Sequence, residues 1–361
     1  MEAGPRKGAR RVLVTGGAGF IGANVAIGLA ARHPDWELSA LDNLRRRGSE
    51  LNLARLRDAG VGFVQGDVRV LDDLLSVGDV DAIVECSAEP STLAGIDGGP
   101  DYVVQSNLVG AYHCLELARR CHSYLLFLST SRVYPVQALE SLSLEESGTR
   151  FELAAQQPLP GASAAGIAED FPLEGARTIY GATKLAAELL VEEYRSTYGL
   201  RAVVNRCGVV AGPWQLGKVD QGVFTYWMLA HHFRRPLSYI GYGGSGKQVR
   251  DLLHVEDLVE LLDAQLDDPE RWDGVTVNVG GGRGCSLSLL EATALCRELT
   301  GNSVEVAATA EPRPGDVPVY LSDCARLNDL TEWRPRRSAD QILGDIAAWI
   351  GDHETELRAV L

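Results

Sequence analysis

The run Thr15-Gly16-Gly17-Ala18-Gly19-Phe20-Ile21-Gly22 constrains this chain more than any other stretch of it. A short apolar segment, Val12–Thr15, leads into it, and a helical pattern, Gly19–Arg32, leads out. It satisfies G-x-G-x-x-G from Gly17 and G-x-x-G-x-x-G from Gly16. Glycines at that spacing are needed where a strand turns sharply into a helix and a pyrophosphate must approach the backbone N–H groups of the helix N-terminus. Alone the pattern is weak, because turns are glycine-rich in general. Its surroundings strengthen it: Asp42 lies 20 residues after Gly22, at the end of a second apolar segment, Glu37–Leu41. A carboxylate there can take the ribose hydroxyls of an adenosine and repel a 2′-phosphate. Arg45, Arg46 and Arg47 follow and could hold such a phosphate, so the reading is NAD rather than NADP.

The rest of the first half alternates in the same way. Gly62–Val64, Ala82–Glu85, Tyr124–Leu128 and Ala202–Asn205 read as strands. Asn107–Arg120 is helical by its Leu108, Ala111, Leu115, Ala118 spacing, and Tyr180–Tyr198 is a long helix. Strands alternating with helices predict an α/β fold, a Rossmann-type doubly wound parallel sheet. With 361 residues the chain has room for a second unit, a smaller C-terminal α/β lobe. The expected division is 1–206 for the dinucleotide-binding domain, with a return contribution from about 250–280, and 207–249 plus 281–361 for the lobe. Between Glu140 and Ala176 a Pro/Gly/Ala-rich stretch with little periodicity predicts a long loop or small lobe near a site.

Composition excludes more than it proposes. There are 34 basic and 49 acidic residues, a formal net charge of −15, which argues against nucleic-acid and anionic-membrane partners. Any phosphate site must then be made locally. Seven cysteines without a C-x-x-C pair suit a reducing compartment. No run of 18 or more apolar residues and no signal-like h-region occurs, so a soluble, cytoplasmic protein is expected. Cys121-His122 and His231-His232 lack further ligands nearby, and no metal site is predicted.

Tyr180-Gly181-Ala182-Thr183-Lys184 places a tyrosine and a lysine four apart on one helical face. An ammonium beside a phenol stabilises the phenolate, so Tyr180 could serve as a base near neutrality. Thr130 ends a strand about 50 residues upstream and can hydrogen-bond the oxygen on which Tyr180 would work. Gly241–Lys247 fits G-x-x-x-x-G-K, but Gln248 follows where Mg²⁺ binding needs Ser or Thr, which rules out a triphosphatase loop.

Together, T-G-G-x-G-F-I-G, Asp42-Asn43, Gly66-Asp67-Val68, Asn107-x-x-Gly110, Ser129-Thr130 and Y-x-x-x-K resemble the extended short-chain dehydrogenase/reductases, the NAD-dependent nucleotide-sugar epimerases and dehydratases, to about Ile350. Asp220-Gln221-Gly222, Gly246–His254 and Ser129-Thr130-x-x-Val133-Tyr134 are similar to the CDP-paratose (tyvelose) 2-epimerase branch. The resemblance implies bound NAD, with Gly16, Gly19, Phe20, Ile21, Gly22, Asp42 and Asn43 at the adenosine diphosphate. It implies Asp67 and Val68 at the adenine, and Ser87, Ala88 and Asn107 lining the cofactor cleft. Thr130, Tyr180 and Lys184 would be catalytic, with Tyr180 and Lys184 also touching the cofactor. Ser131, Gln221, Gln248, Arg250, Arg313 and Asp316 would bind a nucleotide-diphosphate sugar. Arg250 and Asp251 could equally form a local ion pair, and His254 is expected to pack or hydrogen-bond rather than catalyse.

Departures matter too. The 4,6-dehydratases of this family carry Asp-Glu directly after the threonine, where this chain has Ser131-Arg132. The usual H-L-A-A after the fourth strand is Glu85-Cys86-Ser87-Ala88, and Gly208 replaces an Asn or Ser that faces substrate in relatives. The expected reaction is therefore epimerisation, at carbon 2 by the branch resemblance, with a 4-epimerase next and a reductase or decarboxylase after it. A non-enzymatic NAD-binding protein is the alternative from another class. Pairing through Val103–Arg120 and Lys184–Tyr198, usual in the family, predicts a homodimer.

Overall fold

The computed structural model describes residues 9–96, 98–218 and 221–361; the basic N-terminal stretch through Gly8 and Asp220 lie outside the described residues. The first half of the chain runs β1 (Arg11–Thr15), α1 (Phe20–Arg32), β2 (Glu37–Asp42), β3 (Gly62–Gln65), β4 (Ala82–Glu85), α2 (Gly110–Cys121), β5 (Tyr124–Thr130), α3 (Ile179–Tyr198) and β6 (Ala202–Cys207). The second half adds β7 (Val209–Ala211), α4 (Val223–His232), β8 (Leu237–Ile240), β9 (Val249–His254), α5 (Val255–Asp267), β10 (Thr276–Val279), β11 (Ser286–Ser288), α6 (Leu289–Thr300), β12 (Val306–Thr309), β13 (Val319–Tyr320) and α7 (Ala339–Asp352).

Seven strands form one parallel sheet in the order β10-β6-β5-β4-β1-β2-β3. Its central strands, β1, β4 and β5, are near-continuous apolar runs because both faces are covered there. Side chains alternate across the pleat, so Val12 and Val14 of β1 join α1 and α5 on one face while Leu13 joins α2 and α3 on the other. The order in which the chain lays down its strands reverses between β1 and β4, and ligands bind outside the carboxyl ends of the strands at such a switch point. Thr15, Glu85 and Thr130 end β1, β4 and β5 on that edge.

Beyond β6 the chain builds a second core from α4, α6 and α7, around Trp227, Met228, Cys296, Ile342 and Ile346. A small sheet of β7, β9 and β11, with β13 paired to β9, faces the cleft. The chain then returns: α5 packs on α1, and β10 adds the outermost strand of the large sheet beside β6. The aperiodic segment between Glu140 and Ala176 holds two short hairpins, Leu144–Glu146 with Phe151–Leu153 and Ala162–Ser163 with Gly166–Ile167. Leu153, Ile167 and Phe171 bury this segment against Val249, Val319 and Tyr320, making it a small lobe rather than a free loop. The Gly241–Lys247 run joins β8 to β9 through a 3₁₀ turn and opens no helix, and Lys247 pairs with Glu146 at 2.7 Å.

Candidate active site

A cleft of about 690 Å³ runs from the β1–α1 turn to the small sheet. At its first end Gly16 adopts φ +62°, a left-handed conformation that glycine takes without strain. A Cβ on Gly22 would sit 2.2 Å from the Gly16 carbonyl oxygen, so only glycine lets α1 close onto the turn. Gly19 caps α1, which has no side-chain cap and no acidic residue in its first turn. By contrast Thr178, Ser288 and Ser338 cap α3, α6 and α7 through their hydroxyls. The bare N-terminus of α1 opens onto the cleft, where a phosphate would satisfy its N–H groups.

Asp42 ends β2 with both carboxylate oxygens engaged: Ala18 N–H donates to one at 3.1 Å and Leu44 N–H to the other at 2.8 Å. Burial raises its pKa, against those bonds. Asn43 donates to Asp67 at 2.9 Å, and Arg69 pairs with Asp67 at 2.6 Å, which holds that carboxyl down at about 2. Arg45 lies 3.9 Å over the Tyr102 ring, and the Arg46 and Arg47 guanidinium groups donate to the carbonyls of Leu216 and Ala359. Ser87 contributes a buried hydroxyl without a hydrogen-bond partner to the cleft wall. An uncapped helix end, an orphan hydroxyl and a cradle that a Cβ would fill together fit a dinucleotide.

Thr130, at the end of β5, and Tyr180, in the first turn of α3, lie within hydrogen-bonding reach of each other. Burial lifts the pKa of Tyr180, and Lys184 and Thr130 oppose that rise. The expectation of a phenol brought down towards neutrality by its lysine is thus not met in the protein alone, because desolvation outweighs the ammonium. That ammonium is moreover shared: Lys184 Nζ lies 3.2 Å from Glu85 Oε2, both side chains fully buried. Behind the site, Glu188, two turns along α3 from Tyr180, accepts from Ser129 and from Arg206 at 2.7 Å. Arg206 in turn donates to the Tyr134 hydroxyl, which donates to Asn278 at 2.8 Å.

At the far end Arg250 pairs with Asp316 at 2.5 Å and also donates to the Val317 carbonyl. The local Arg250–Asp251 pair does not form. Neighbours on a strand point to opposite faces, and Asp251 turns inward to accept from the N–H groups of Gly282 and Ser322. His254 caps α5 by accepting from Glu256 N–H at 3.0 Å. Arg132 donates to the Gly315 carbonyl at 2.8 Å and lines the cleft beside Arg250 and Arg313; burial lowers its pKa and Arg250 adds to that.

The structure therefore gathers Gly16, Gly19, Phe20, Ile21, Gly22, Asp42, Asn43, Asp67, Val68, Ser87 and Ala88 with Thr130, Ser131, Tyr180 and Lys184 on one cleft. Gln221, Gln248, Arg250, Arg313 and Asp316 line the same cleft. Asn107 does not line it. It is fully buried in a π-helical turn, Gln105–Val109, where its side chain bonds Glu89 N–H, the Glu89 carbonyl and Thr183, so it braces the 87–91 wall from behind. Asp316 is held by Arg250 and by Val317 N–H, which makes it a partner of the arginine as much as a ligand. Glu85, Arg132 and the Glu188–Arg206 pair were not anticipated as site residues. Helical spacing on α3 was the one signal for Glu188, which shares the face of Tyr180 and Lys184.

Among the described residues no helix is long and apolar enough to cross a membrane. The chain is 29% identical to a CDP-paratose 2-epimerase of Salmonella typhi, over 94% of this chain and 98% of that one. It is 30% identical to a dTDP-glucose 4,6-dehydratase of Mycolicibacterium smegmatis, over 96% and 94%. Its fold superposes on a UDP-glucose 4-epimerase of Thermus thermophilus solved with NAD, with a TM-score of 0.74 and 26% identity over 94% and 99% of the two chains. Residues 12–280 match the model of one enzyme family, and with the cleft described above this shows that the chain belongs to the NAD dependent epimerase/dehydratase family, whose cofactor is NAD.

Proposed function

We propose that the protein is a nucleotide-sugar epimerase that inverts carbon 2 of a CDP- or other NDP-hexose through a transient keto-sugar. The observation that carries this reading is the composition of the wall around Thr130. Thr130, Tyr180 and Lys184 converge there, and the two positions after Thr130 hold Ser131 and Arg132, which offer no carboxyl pair for elimination of water. The likeness to a CDP-paratose 2-epimerase along nearly the whole chain supports carbon 2 and a cytidine nucleotide.

Bound NAD supplies a hydride acceptor that also returns the hydride. The protein's own groups do the rest. Tyr180 takes the proton from the sugar hydroxyl as that carbon is oxidised and gives it back on reduction, with Thr130 hydrogen-bonding the same oxygen. Arg250 and Arg313 hold the diphosphate, and Arg132 stands where it can add a third charge-assisted contact. Ser131, Gln221 and Gln248 would bind the rest of the substrate. The sugar can then turn about its held diphosphate and present its other face, so inversion needs no second base.

A 4-epimerase would use the same residues with a larger rotation of the sugar, and the likeness to a UDP-glucose 4-epimerase favours it as the second reading. Incubation with CDP-, UDP- and GDP-hexoses, followed by proton NMR of the anomeric couplings, separates the two; inversion at carbon 4 alone overturns the first. Tyr180→Phe should retain NAD and lose turnover. We further propose a homodimer through α2 and α3, whose outer faces expose Tyr112 and Leu189 in an apolar patch with Leu108, Ala186 and Leu190.

A further inference from the structure

Tyr180 and Lys184 have roles in the proposed reaction, and a third ionisable group beside them has none. Glu85 ends β4, and its carboxylate lies under the floor of the cleft, 1% exposed, 3.2 Å from the Lys184 ammonium, itself 2% exposed. Ser87 N–H donates to the same carboxylate, and Lys184 Nζ lies 4.0 Å from the Phe127 ring centroid. The lysine is thus held from two sides. A buried ammonium with a carboxylate in contact presents a dipole to its surroundings, where an unpaired one presents a full charge.

We propose that Glu85 is a positioning residue for Lys184: its carboxylate fixes the ammonium and offsets its field, so that Tyr180 keeps its proton to higher pH than it would beside an unpaired lysine. The inference rests on the roles proposed for Tyr180 and Lys184. The groups facing these residues leave Glu85 as the source of the effect. Glu85 meets Lys184 from α3, Cys114 from α2 and Cys86, the residue that follows it beyond β4. On β1, Thr15 lies beside it and offers only a hydroxyl. Tyr180 meets Lys184, Cys207 of β6 and Arg132 after β5. Burial raises all three thiols, which are therefore neutral at physiological pH; it raises the Glu85 carboxyl too, but there the contact with the Lys184 ammonium and the Ser87 N–H oppose it, so Glu85 is the one carboxylate in this set. Two cations, Lys184 and Arg132, pull the Tyr180 proton off; Glu85 blunts the first of them. A phenol so balanced suits a step in which the proton taken from a hydroxyl is returned to the same oxygen.

The test is Glu85→Gln, which keeps an acceptor for the ammonium and removes the charge. With saturating NAD, the acid limb of kcat/KM against pH should move about one pH unit lower than in the unmodified protein. The phenolate absorbance of Tyr180 near 295 nm, isolated by subtracting the matching Tyr180→Phe protein, should shift by the same amount. Coincident spectroscopic titrations with and without Glu85 overturn the proposal. The spectrum reads the Glu85 effect whether or not Tyr180 is the base, whereas turnover of Tyr180→Phe alone tests the base. If Glu85→Gln does not fold, Glu85→Asp, which keeps the charge but draws it back from the ammonium by one methylene, is titrated in the same way: a midpoint lower than in the unmodified protein upholds the proposal and a coincident one overturns it.

Discussion

Replacing Glu188 by alanine tests how the fold holds its chemistry in place. Glu188 is 8% exposed, Arg206 5% and Ser129 5%. The carboxylate accepts from Arg206 Nη2 at 2.7 Å, from Arg206 Nε at 3.2 Å and from the Ser129 hydroxyl. Its removal leaves a buried guanidinium facing no counter-charge, a change that costs about 3–5 kcal/mol. Unfolding entropy of about 2.1 cal/mol/K per residue, over 361 residues, is about 0.76 kcal/mol/K, so the melting temperature should fall by about 4–7 °C. Thr130 follows Ser129 on β5, and α3 carries Tyr180, so kcat should fall as well while NAD affinity, set at the β1–α1 turn, changes little. Differential scanning calorimetry, with and without NAD, together with steady-state kinetics reads both effects. Glu188→Gln, which keeps one acceptor oxygen but no charge, should lie between. A fall below about 1 °C for Glu188→Ala would show that Arg206 finds another partner or water and that the pair is not what braces the site.

Gly22→Ala should weaken NAD binding at least tenfold by fluorescence titration, because its Cβ would press within 2.2 Å of the Gly16 carbonyl and open the phosphate turn. Asp67 has a folded pKa near 2 against an ordinary value of about 3.9, so its contribution to stability is full above about pH 4 and is lost as pH falls towards 2. Asp67→Asn should therefore flatten the acid side of a stability–pH curve from urea titrations and change little once both proteins are compared below pH 2. Leu189→Glu, at a position 58% exposed, should turn the proposed dimer into a monomer in light scattering while leaving the melting curve of the protomer intact.

What the sequence could reveal followed the range of the interactions. The β1–α1 turn, Asp42 and the Tyr180–Lys184 pair are set by neighbours a few residues apart, and their patterns stood out. The sheet was legible because its central strands, buried on both faces, are largely apolar. Arg250 and Asp251 could have been read correctly from the same alternation, since adjacent side chains on β9 leave by opposite faces. Asn107 could not: a π-turn rotates it away from the position that ordinary helical spacing implies. Glu85 and Lys184 are 99 residues apart, and only the packing of α3 against the end of β4 makes them partners. Arg132 stood out as a departure from an acidic pair, but its place in the cleft depends on Gly315, 183 residues later.

The net charge of −15 is the sharpest case of a whole-chain property that misleads about a site. The substrate end of the cleft is lined by Arg132, Arg250 and Arg313, with Lys218 beside Gln221 and Asp316 among them, four positive charges against one negative. A diphosphate diester carries about two negative charges, so the proposed substrate would offset most of this local positive excess. Asp316 has a use in that balance. It pairs with Arg250 before ligand arrives and keeps a partly buried guanidinium from standing uncompensated, at the cost of weaker attraction for the ligand. Outside the cleft the acidic surface discourages extended polyanions, which have many charges to place, far more than it discourages a small ligand that reaches this pocket. On the proposed function, an acidic body with a positive pocket favours a single diphosphate, and raising salt should weaken substrate binding less than it would for a protein that relies on a broad basic face.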